Sequence, residues 1–240
     1  MKKVLFLFIA VALSVGVSAQ ESAPSVKTGR SFHEINPRKG YTNFSYSTQT
    51  LSSHNGAEIG KSKYGGSFLR GRTFNMHRKP IADLLYIGLD ATWMDFNFTY
   101  YEKHNLSHDK PLNQFDVSMG IGPSVNVYPF RKLGVHAYFR YNPTFSFFYM
   151  DTPKHEDHAD DAGFDVMGGY GSLMVSGLSV SWGAISLGAE ARWGAGKYES
   201  YYGEFLPSLI DAIGGETGLD KDAIRKLKLS GARYYLSLRF

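Results

Sequence analysis

The chain has 240 residues and a formal net charge of +4, with 26 glycines, 16 tyrosines, 17 phenylalanines and no cysteine. The missing cysteines exclude a disulfide framework, a CxxC zinc site and a thiol nucleophile. Setting aside Lys2 and Lys3 as part of a leader lowers the charge from +4 to +2, and no basic arm suited to nucleic acid remains.

Residues 1–19 read as a secretory signal peptide. Lys2 and Lys3 form the basic start, Val4 to Val17 is almost wholly apolar, and Val17-Ser18-Ala19 supplies a small-residue cleavage site. The apolar run is too short to be a spanning helix. Residues 20–39, with Pro24 and Pro37 and no periodic pattern, read as a flexible periplasmic lead.

From residue 40 onward the dominant signal is period-two alternation, the mark of strands between two different environments. Eight segments carry it: 41–50, 64–76, 84–101, 113–128, 133–150, 164–182, 184–200 and 228–240. The fourth is the clearest, with Phe115, Val117, Met119, Ile121, Val125 and Val127 against Gln114, Asp116, Ser118, Gly120, Gly122, Ser124 and Asn126. The third changes phase near Trp93–Met94, which predicts a bulge. The first, second and sixth alternate less regularly.

The connections after the second, fourth and sixth segments are short, and the other four are long and polar. Only helices and closed barrels satisfy every backbone polar group in lipid, and outer-membrane barrels pair short periplasmic turns with long extracellular loops. A soluble lipocalin-type barrel would also alternate. The strand centres, however, contain no lysine, and their polar face is rich in Gly, Ser and Asn, which suits a narrow, crowded lumen. The expected fold over 40–240 is therefore all-β: an eight-stranded antiparallel up-and-down transmembrane barrel, exported to the outer membrane.

The last strand reads Ala232, Tyr234, Leu236, Leu238 and terminal Phe240. Tyr234, Leu236, Leu238 and Phe240 resemble the closing signature of outer-membrane proteins, and the mature chain resembles the small OmpA-type and OmpX-type eight-stranded barrels. The resemblance implies a lipid bilayer with lipopolysaccharide as surroundings, and the barrel-assembly machinery as the reader of that signature during biogenesis. It is weak for function, because such barrels serve as anchors, adhesins, enzymes and assembly components.

Three sets of residues are candidate sites. Arg70, Arg72, Asp90, Arg140, Glu190, Arg192 and Arg233 are read onto the inner face near mid-membrane, where charges are costly unless paired, so a salt-bridge network filling the lumen is expected. His155, His158, Asp160 and Asp161 in the third long loop form a possible zinc or copper cluster, joined by His104 and His108 from the neighbouring loop; a solvated acidic loop is the competing reading. Leu206, Leu209, Ile210 and Ile213 fall at helical spacing between Pro207 and Gly214-Gly215, and a second short helix is read from Asp220 to Leu227. That hairpin is expected to cap the extracellular opening or to meet a partner protein.

The aromatic strand ends Phe96, Phe98, Tyr100, Tyr101, Phe145, Phe147, Phe148 and Tyr149 are expected to project past the membrane as a sheet. An extracellular or envelope protein partner is expected there or at the loops, and no cofactor. His136, the only strand-centre histidine, reads as lumen-facing near the periplasmic end, the wrong level for a lipid A acyl-modifying enzyme. The expected function is that of a non-enzymatic surface or envelope interaction protein of adhesion type; the alternatives are a component of a secretion or assembly machine, or a lipid-modifying enzyme.

Overall fold

The computed structural model describes residues 39–77, 79–104, 111–130, 132–151, 164–202 and 226–240. They form β1 (Gly40–Ser53), β2 (Glu58–Lys61), β3 (Tyr64–Asn75), β4 (Leu85–Tyr101), β5 (Leu112–Val127), β6 (Leu133–Asp151), β7 (Phe164–Trp182), β8 (Ile185–Tyr202) and β9 (Lys226–Arg239). All pairings are antiparallel, and β9 returns to β1, so the sheet closes on itself.

β2 and β3 together make one wall strand. β1 pairs with β2 through Thr50–Ser52 and with β3 through Gly40–Tyr46. At the break, the Ser62 amide donates to the Gln49 carbonyl (2.8 Å) and the Gln49 amide donates to Ser62 Oγ (2.7 Å), so the ladder continues across the offset. The wall thus counts eight strands, as the alternation predicts.

The register fixes the tilt. Phe44 leads strand by strand through Phe68, Phe96, Val117, Phe145, Tyr170 and Lys197 to Lys226. Lys226 stands one residue before Leu227, which pairs with Ser53 at the far end of β1. One circuit therefore climbs about ten residues, the stagger that tilts the strands of a small barrel by roughly 40°.

Closure leaves two ends. The short turns 76–84, 128–132 and 183–184 lie at one end with Gly40 and Phe240, whose amides and carbonyls exchange hydrogen bonds of 3.0 Å. The two-residue turn between β7 and β8 requires Gly183 at φ +64°, a left-handed conformation that glycine adopts without cost. At the other end β1 turns into β2, and β4, β6 and β8 end there too.

The bulge expected at Trp93–Met94 is present: both side chains point outward, and the β4–β5 register shifts between Thr92 and Asp95. Strand ends differ from the sequence reading by a few residues. The largest difference is at β1, which runs on to Ser53, and β2 falls in a stretch read as a connection; at β9, Lys226 and Leu227, read as the end of a second helix, belong to the strand. Leu227 is buried and pairs with Ser53 and Gly196, and ladder bonds on both sides outweigh a marginal isolated helix. Among the described residues there is no helix. The rest of the expected hairpin, including Leu206, Leu209, Ile210 and Ile213, lies outside the described residues, as do residues 1–38.

This topology has a direct test. An epitope inserted at Asn55 between β1 and β2 should be labelled on intact cells, whereas one at Gly183 should be labelled only after lysis. Labelling of the Gly183 tag on unlysed cells would refute the assignment of the two ends.

Candidate functional site: the barrel interior

Inward and outward faces differ sharply. Outward stand Phe44, Ile87, Leu89, Met119, Ile121, Phe139, Leu178, Val180, Leu187, Leu236 and Leu238, all exposed although large and apolar. Inward, among the described residues, the acids Asp90, Asp95, Asp116 and Glu190 balance the arginines Arg140, Arg192, Arg233 and Arg239, all buried. An apolar belt around a charged, closed interior suits hydrocarbon outside and is untenable in water. The chain is a small eight-stranded barrel of the outer-membrane type.

No family model and no curated protein matches it. Among solved structures the barrel is similar to Neisserial surface protein A, with 10% identity, 84% of this chain and 97% of that one covered, and a TM-score of 0.47. It is also similar to Ail, the attachment invasion locus protein of Yersinia pestis, in complex with the heparin analogue sucrose octasulfate: 10% identity, 84% and 98% covered, TM-score 0.46. The outer membrane protease OmpT from Escherichia coli gives 8% identity, 85% and 98% covered, and a TM-score of 0.40. At such identity the likeness concerns fold and not function.

The polar interior is layered. At the turn end, Arg239 contacts His136 Nδ1 at 2.9 Å and donates to Ser186 Oγ at 3.0 Å. Above them Asp90 accepts from the Tyr41 hydroxyl (2.6 Å) and from Thr73 Oγ1 (2.8 Å), with an Arg140 nitrogen 3.4 Å away. Glu190 is the hub of the next layer. One of its oxygens accepts from Arg140 (2.9 Å) and from the Tyr138 hydroxyl (2.7 Å), and the other accepts from Arg233 (3.0 Å). The same Arg233 nitrogen reaches Asp95 at 2.9 Å. Higher still, Asp116 accepts from Asn97 (3.0 Å) and Gln114 (2.6 Å), with Arg192 at 3.9 Å.

Of the seven charges read from sequence, the barrel brings together Asp90, Arg140, Glu190, Arg192 and Arg233. Arg70 and Arg72 are placed differently: both are exposed on the outer face of β3. Alternation misplaces them because Phe68 and Leu69 are consecutive and both apolar, while only Leu69 points inward. Asp95 and Asp116 complete the network and were not singled out. The predicted bulge is the signal that finds Asp95, since one inserted residue turns it from the outer to the inner face.

Four interior tyrosines sit opposite glycine: Tyr41 faces Gly71, Tyr138 faces Gly177, Tyr235 faces Gly188, and Tyr198 faces Gly169. A Cβ at any of these glycines would collide with the facing ring. The rings occupy the space over the bare backbone, the pairing by which aromatics rescue glycine in a sheet. Because the Tyr138 hydroxyl reaches Glu190, Gly177→Val should displace both and cost about 1–3 kcal/mol through overpacking. A urea midpoint equal to that of the parent barrel would contradict this.

Toward the loop end the interior changes character. Leu51, Ile59, Tyr101, Leu112, Phe148, Met150, Met167, Leu173, Val175, Tyr198, Leu227 and Leu229 form one buried apolar cluster. Tyr101 and Phe148, read as projecting aromatics, point inward, whereas Phe96, Phe145, Phe147 and Tyr149 point outward. The signal for this cluster was the broken alternation itself, as in Leu173-Met174-Val175 and Phe147-Phe148. At this level the inner face is apolar as well, while the outer face stays aromatic at Phe145, Phe147 and Tyr149.

Outside the loop end, Lys63 holds Glu102 at 2.6 Å, a bond that raises the Lys63 pKa; both side chains are about half exposed, so the pair adds little stability. Lys197 and Lys226 are cross-strand partners, with Lys228 close by and all three exposed. Of the proposed metal residues, His155, His158, Asp160 and Asp161 lie outside the described residues, as does His108. His104 is buried and bridges to Gly60.

Proposed function

We propose that this barrel is a non-enzymatic outer-membrane interaction protein, whose projecting strands form a stiff platform for its extracellular loops. The apolar cluster at the loop end carries this reading. β6 and β7 have 19 residues each, against the ten or so that cross a bilayer, and their upper parts enclose a packed core. Such a core holds the projecting wall rigid, and a rigid scaffold under loops is the usual arrangement for binding.

The test is adhesion. Cells producing the parent barrel should bind panels of matrix proteins, serum proteins or glycans. A variant with 103–111, 152–163 and 203–225 replaced by short Gly-Ser turns should lose that binding by roughly tenfold or more. Equal binding by the two strains would sink the proposal. If the barrel instead belongs to a secretion or assembly machine, crosslinked membranes should yield stoichiometric envelope partners.

A lipid-modifying role needs a histidine near the loop-side leaflet with serine and an acid beside it. His136 is held between Arg239 and Asp90 at the turn end. On the non-enzymatic reading, lipid A mass spectra should be the same with and without the protein.

The layered interior also bears on conductance. Ion pairs fill the lower lumen and the apolar cluster closes the upper, so planar-bilayer recordings should show no stable open channel. A steady conductance would contradict a filled interior.

A further inference from the structure

Arg70 and Arg72 stand on the apolar outer face, in its turn-side half: Arg72 pairs with Gly40 and Arg70 with Thr42, at the start of β1. A cation on the lipid face is costly unless it reaches the interface or meets an anion. Among the described residues neither arginine has a carboxylate within ion-pair distance.

Both side chains lean the same way. The Arg70 guanidinium lies 5.7 Å from the ring centre of Phe240, and that of Arg72 lies 5.5 Å from the ring centre of Phe74. These rings belong to the turn-side end of the wall. Phe240 lies across Gly40, where any Cβ would strike its ring, so the glycine lets the last aromatic extend from β9 across β1 toward β3. Two guanidinium groups are thereby drawn down toward one interface, each over an aromatic face.

We propose that Arg70 and Arg72 hold the phosphate of a phospholipid in the turn-side leaflet, with its acyl chains running toward mid-membrane against Trp93 and Met94. The proposal rests on the reading above, that the barrel lies in a membrane with its turns on the periplasmic side. Phosphate is the anion that a bilayer offers at the depth to which the side chains lean, and guanidinium matches it with paired, charge-assisted hydrogen bonds.

Native mass spectrometry of the full-length protein, released from neutral micelles doped with dioleoylphosphatidylglycerol, tests this. The parent barrel should retain the lipid. Arg70→Gln/Arg72→Gln should retain roughly tenfold less, the ratio that one charge-assisted hydrogen bond confers. Lys226→Gln/Lys228→Gln, at the loop end, should retain as much as the parent. Equal retention by the parent and the arginine variant overturns the proposal, and so does an equal loss in the lysine variant.

Heat-modifiable migration in gels reports folding. If the double arginine variant does not fold, Arg70→Lys/Arg72→Lys replaces it: it should keep the charge but lose the paired geometry and part of the retention, and full retention overturns the paired-guanidinium site. A photocrosslinker at Thr42 that captures protein instead of phospholipid also overturns it. Failure of the chain to insert into phosphatidylcholine vesicles would count against the membrane reading itself, whereas insertion with equal retention counts against this site alone.

Discussion

Replacing Glu190 with Ala should lower the stability of the folded barrel by about 3–5 kcal/mol, the usual cost of removing one partner from a buried ion pair. Glu190 is 4% exposed and joins Arg140, Tyr138 and Arg233. Without it, two buried guanidinium groups lose their shared carboxylate, and Asp90 and Asp95 alone must compensate them. Glu190→Gln keeps the shape and one acceptor, so it should fall between Ala and the parent. Urea unfolding in lipid vesicles, followed by tryptophan fluorescence, measures the effect. An unchanged midpoint for Glu190→Ala would mean that the arginines find other partners and that the layer is not a coupled network.

The second large effect is expected in the projecting wall. Phe148 is fully buried and meets Tyr198 edge to face, with ring centres 5.2 Å apart. Phe148→Ala should cost about 3–5 kcal/mol, because the transfer term and the cavity term add. Its neighbour Phe147 points outward and is 41% exposed, so Phe147→Ala should cost less. Comparable losses from the two would mean that the loop end has no packed interior, and the stiff platform proposed for the loops would lose its basis. Proteolysis of the intact barrel gives an independent check: Phe148→Ala should speed cleavage at the loop end and leave the turn end resistant.

Glu190 and Phe148 belong to different halves of one lumen, and the two halves differ in how far the sequence displays them. Sequence by itself determined the number of strands, their approximate limits, the alternation of long and short connections and the bulge at Trp93–Met94. Each follows from local physics, since a strand between two environments must alternate wherever it runs. It also marked Asp90, Arg140, Glu190, Arg192 and Arg233 as inward, because their strands alternate cleanly. The same logic failed where local contrast vanished. In β3, Gly65, Gly66 and Ser67 give no phase, and Phe68-Leu69 gives two, so Arg70 and Arg72 were placed inside.

Only the closed tertiary structure decided which charges meet. Asp95 finds Arg233 across 138 residues and Glu190 finds Arg140 across 50, and neither separation has a period that a sequence can display. Tyr138 over Gly177 and Tyr235 over Gly188 depend on register between strands, which closure sets through its stagger of about ten residues. The apolar cluster around Phe148 likewise exists only because the wall curves: residues of eight strands that look unrelated in sequence converge on one axis above the ion pairs, where water would otherwise enter.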